Sequence, residues 1–79
     1  MPKLRRLAGR DLLTILQGFG FRQVSQRGSH AKLAREVGGA RQVLTGPLHA
    51  ELDPGTLRAI LRQASRFISE SELRPHFYT

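Results

Sequence analysis

The stretch Arg27-Gly28-Ser29-His30-Ala31-Lys32 holds the residues of this chain best suited to chemistry. An imidazole has an unperturbed pKa of about 6.5, so His30 can take or give a proton near neutral pH. Cleavage of a phosphodiester beside a ribose hydroxyl needs both acts, together with cations for the charge that develops on phosphorus. Arg27 and Lys32 can supply that charge. Gly28 allows a tight turn and close backbone approach, and Ser29 can hydrogen-bond a phosphate or orient the ring. A polar residue in a surface turn fits the same pattern, and residue types alone leave both readings open.

His49, in "PLHAEL", is a possible second proton-transfer residue or a loop residue; His76 reads as inert. Other chemistries fit less well. With no cysteine there is no disulfide, thiolate zinc site or cysteine nucleophile. Three dispersed histidines and six scattered carboxylates have none of the usual metal-ligand spacings, so no metal and no cofactor are expected. Ser29 lacks the strand-turn-helix setting of a hydrolase nucleophile.

Thirteen Lys+Arg against six Asp+Glu give a formal charge of +7, which favours a polyanion such as nucleic acid, or an acidic protein. All but Lys3 and Lys32 of those cations are arginine, whose planar fork grips phosphate bidentately. Arg58, Arg62 and Arg66 recur every four residues. Such a row of like charges costs a helix roughly 0.2–0.5 kcal/mol per pair unless an anion lies against it. A solvated helix face with long stems over apolar surface is the alternative. Arg22, Arg27, Lys32, Arg35 and Arg41 add to the positive field, and Arg22, Arg27 and Lys32 could join the helical row in a continuous track.

A small α+β domain is expected to position these groups. Leu12, Ile15, Leu16 and Phe19 have the spacing of one buried helical face, giving a first helix over about residues 9–17 that stops at Gly18 and Gly20. Residues 21–26 and 29–37 read as antiparallel strands, and "VGGA" as a hairpin into a third strand, "RQVLT". Alternation along the second strand puts His30, Lys32 and Ala34 on one face, with Ala31, Leu33 and Arg35 on the other. Asp53 and Pro54 open a second helix with Leu57, Ile60, Leu61 and Ala64 inward. Ser69 and Glu72 have capping-box spacing for a short third helix, and the tail from about residue 74 to 79 is expected to fray.

The order is therefore α-β-β-β-α in a single domain spanning residues 1–79, with a three-stranded antiparallel sheet and helices on one face. No stretch approaches the roughly 20 apolar residues of a membrane span, so no membrane partner is expected. The N-terminal segment reads as mature protein, and a reducing, cytoplasmic setting is compatible with the lack of cysteine.

"GFGFRQVSQRGSHAKL" followed by "PLHAELDPGTLRAILRQA" resembles the two signature segments of the HicA toxins, over about Gly9 to Leu73. Gly28, Ser29 and His30 match a G-S-H motif. Pro47, His49, Gly55, Thr56, Leu57 and Arg58 match the second segment. Ala31 stands where the family often has a second histidine, Asp53 where it has Lys or Arg, and Ala8 where it has Ser or Thr. The resemblance implies a double-stranded-RNA-binding-domain-like fold and a toxin that cleaves mRNA without metal, with His30 essential. On that basis Arg27, Gly28, Ser29, Lys32, Arg58 and Arg62 would contact phosphate or RNA. It also implies a HicB-like antitoxin as protein partner. The alternatives are a non-catalytic RNA-binding module using the same basic surface, and a subunit whose arginine row serves only an acidic protein.

Overall fold

A computed structural model describes residues 2–79. The elements run α1 (Gly9–Gly18), β1 (Arg22–Arg27), β2 (His30–Val37), β3 (Ala40–Pro47), α2 (Pro54–Ala64) and α3 (Glu70–Phe77). The three strands form one antiparallel sheet in the order β1-β2-β3. This is the α+β layout expected, similar to that of double-stranded-RNA-binding domains, with the third helix present.

Two glycine turns set the sheet's register. Gly38 and Gly39 both have positive φ, 58° and 81°, which a two-residue hairpin matched to the twist of its strands requires. Gly28 opens the β1–β2 turn at φ 58°. With those turns fixed, Ala31, Leu33 and Leu44 point inward and are buried, while His30, Lys32, Ser25 and Thr45 face solvent. Val24 has no partner on β2, because the register slips between Gln23 and Ser25.

The helices cover the inward face. Leu12 and Leu16 of α1, Leu57, Ile60, Leu61 and Ala64 of α2, and Leu73 and Phe77 of α3 join Phe21, Leu33 and Leu44 in one core. Each helix start is capped from its own sequence. Asp53 Oδ2 accepts from the Thr56 N–H at 3.2 Å and Oδ1 from the Thr56 hydroxyl at 2.6 Å. These bonds hold the Asp53 carboxyl below its ordinary pKa. Ser69 Oγ accepts from the Glu72 N–H. Ala8 has no capping oxygen, yet Asp11 reaches back to accept from the Ala8 N–H at 2.8 Å, which keeps half of a capping box.

Two expectations change. The segment expected to fray continues α3 through Pro75 to a Phe77 with no exposed surface, and Leu4 bridges to Tyr78. Proline removes one helical hydrogen bond at a cost of about 3 kcal/mol. Burial of Leu73 and Phe77, one turn apart on the same side, offsets that loss. Arg35, counted above toward the positive field, is half-buried and spent internally. It donates to the Phe19 carbonyl at 2.6 Å, the Phe67 carbonyl at 3.0 Å and Gln42 Oε1 at 2.7 Å, with its guanidinium 4.7 Å above the Phe21 ring.

Candidate active site

His30 is the first residue of β2, immediately after the Gly28-Ser29 turn, and its Cα partners are Arg27 on β1 and Pro47 on β3. Paired residues share a sheet face. The turn therefore brings Arg27 beside His30, and the alternation of β2 adds Lys32, which pairs with Ser25 and Thr45. Together these residues and Gln26 line an open groove of about 500 Å³. Two cations lie in it and no carboxylate does.

His49 follows the end of β3 by two residues, and three backbone bonds hold its loop. The Leu48 N–H donates to the Ser29 carbonyl, the Gly9 N–H to the His49 carbonyl at 2.8 Å, and the Leu52 N–H to the Leu7 carbonyl at 2.9 Å. Gly9 meets that loop so closely that a Cβ there would lie 2.5 Å from the Leu48 Cα and 2.6 Å from the Pro47 carbonyl oxygen. The result is that the His30 and His49 rings stand edge to face with centroids 6.5 Å apart. Both side chains belong to exposed residues.

Gly28 and Ser29 thus act on the site through the backbone, one by its positive φ and the other by holding Leu48. Arg58 and Arg62 are exposed on α2 but lie in a separate depression with Ser65, Glu70 and Tyr78, outside the His30 groove. The continuous track considered from sequence is divided. The Gln63 side chain links α2 to the groove's rim, its Oε1 accepting from the Thr45 N–H at 3.4 Å. Among the described residues no group of three or more His, Asp or Glu comes together in a way that could hold a metal, and no helix is long and apolar enough to cross a membrane. The one ion pair among them, Arg74–Glu70 at 3.8 Å, lies on α3.

Spacing alone did not single out Gln23 and Gln26. The Gln26 side-chain Nε2 donates to the Gly28 carbonyl at 3.1 Å, and Gln26 Oε1 accepts from Gln23 Nε2 at 3.2 Å. Their place on an edge strand beside the Gly28 turn is the one sequence signal that could have marked them.

The family model for the HicA toxin of bacterial toxin-antitoxin systems matches residues 9–65, from the start of α1 to just past the end of α2. No curated protein and no solved structure gives a match. The matched span carries both histidines, the turn that places the first and the loop that places the second, and the chain belongs to the HicA toxin family.

Proposed function

We propose that the protein is a metal-independent endoribonuclease that cuts messenger RNA in the cytoplasm, with His30 essential, and that a HicB-like antitoxin restrains it. The observation that carries this reading is the pair of imidazoles 6.5 Å apart at the end of a groove lined by Arg27 and Lys32. Simple RNA binding has no need of two facing rings. In-line cleavage does: one neutral imidazole takes the 2′-hydroxyl proton as the 2′-oxygen bonds to phosphorus. The bond from phosphorus to the 5′-oxygen breaks, and the other, protonated imidazole gives that oxygen its proton. The products are a 2′,3′-cyclic phosphate and a 5′-hydroxyl. Arg27 and Lys32 hold the phosphate and meet its growing charge. Arg58 and Arg62 hold backbone away from the scissile bond, and the cationic surface attracts an acidic antitoxin more strongly at low salt.

The test is cleavage of a defined transcript by the purified protein, with binding measured in parallel. His30→Ala should lower the rate by roughly 10²–10⁴-fold, the usual contribution of general acid–base catalysis, while binding changes little. His49→Gln should lower the rate comparably, with binding again little changed. Products bearing 5′-phosphate would contradict the scheme, and binding without cleavage by the unmutated protein would make it an RNA-binding module.

A further inference from the structure

We infer that RNA leaves the His30 groove as an unpaired strand, drawn out along the same face of the sheet toward Arg22 and Arg41. The inference deepens the ribonuclease reading by naming the form of its substrate, and rests on it. Its ground is the register of the sheet. Cross-strand partners share a face, and every second residue of a strand returns to it. Counted from His30, four successive rungs of its face therefore hold Arg27 beside His30, then Lys32, then Arg22 opposite Ala34, and last Arg41 opposite Glu36. Each rung carries one cation.

The step between rungs argues for a strand without a complement. Two residues at about 3.4 Å each set neighbouring rungs about 7 Å apart. That is about twice the 3.4 Å rise per nucleotide of a base-stacked strand, so phosphates match the rungs when the strand is extended and its bases are unstacked. The backbone of a duplex curves away from a flat face and meets fewer rungs. Val43, in the rung of Arg22, and Val24, at the bulge beside it, are left exposed. Their surface suits the faces of unstacked bases, and a cationic groove with such a platform is how single strands are held.

The charges at the far end are free to act. Arg22 and Arg41 are exposed, line one depression of about 510 Å³ and form no ion pair among the described residues. Arg35, which borders the same depression, is committed to three internal acceptors. Val24 lines this depression and Ser25 the His30 groove, so the two adjoin along β1. Glu36, the one carboxylate on the three strands, stands in the last rung and closes the track. An acidic protein would meet the same charge, but one cation at each even step, continuous with the His30 groove, complements a polymer of evenly spaced anions.

The test is binding of a 2′-O-methyl oligouridine long enough to span the rungs, measured over a series of salt concentrations. Its attacking hydroxyl is blocked, so it is not cut. Each phosphate neutralised on a single strand adds about 0.7 to the slope of log affinity against log salt. Arg22→Gln and Arg41→Gln should each lower that slope by about 0.7, while Arg74→Gln, on α3, leaves it unchanged. Glu36→Gln should tighten binding. A 2′-O-methyl duplex of the same length should bind roughly tenfold more weakly, because its bases are not free to lie on the sheet. Slopes unchanged in both Arg22→Gln and Arg41→Gln would overturn the track and leave this face to an acidic protein. Duplex and single strand bound equally well would overturn the unpaired form. Nothing in the titration depends on turnover, so these outcomes stand apart from whether the protein cleaves RNA.

Discussion

Arg35 shows how a single side chain can serve the fold where composition suggests a ligand. Its guanidinium ties the α1–β1 turn, through the Phe19 carbonyl, to the segment after α2, through the Phe67 carbonyl, and lies on the Phe21 ring. Hydrogen bonds from a charged group are worth about 1.5–3 kcal/mol, and carbonyls left unpaired add to the loss. Arg35→Ala should therefore cost roughly 2–4 kcal/mol in urea denaturation. Arg35→Lys should recover little of it, since an ammonium cannot span three acceptors held by a planar fork. Loss of RNA affinity from Arg35→Ala under conditions where that variant stays folded would contradict this role. The sequence held part of this: alternation along β2 already turned Arg35 inward, opposite to His30 and Lys32. The carbonyls it bonds belong to residues far away in the chain, and periodicity carries no information about them.

At the scale of elements, α1 and the β3–α2 loop are locked together through Gly9, and this contact sets where His49 stands. Gly9→Ala forces a Cβ into the Leu48 backbone, so the loop must move. Overpacking of this kind costs typically about 1–3 kcal/mol, which a thermal melt would register. Displacing a reacting group by about 1 Å can cost on the order of 10²-fold in rate. Cleavage by Gly9→Ala should accordingly fall more than the fraction folded, and activity that tracks the folded fraction alone would show that the loop does not position a catalytic group. The pairing of the histidines was within reach of the sequence. Counting seven steps away from the Gly38-Gly39 turn along each strand, from Val37 and Ala40, sets His30 against Pro47, two residues before His49. What the sequence withheld was the path of the loop after Pro47, because that path depends on a missing Cβ in another element.

For the whole molecule, the family match ends at residue 65, yet the core does not. Leu73 and Phe77 are fully buried, and Arg5 and Thr79 exchange backbone bonds with the opposite end of the chain. Removing a buried phenylalanine costs about 3–5 kcal/mol, a large share of the 5–15 kcal/mol that holds a typical domain together. Deleting residues 74–79 should thus abolish the cooperative melt followed by circular dichroism, and a deletion variant melting within a few degrees of the full chain would refute it. The order of elements, the glycine turns and the capped starts of α2 and α3 were legible because each is local. The last helix was not, since proline argued for a stop and only tertiary burial argued against it.

The two rings stand nineteen residues apart in sequence and are held by contacts that reach back to Leu7. A ribosome that has released only the first strands has therefore made one isolated imidazole.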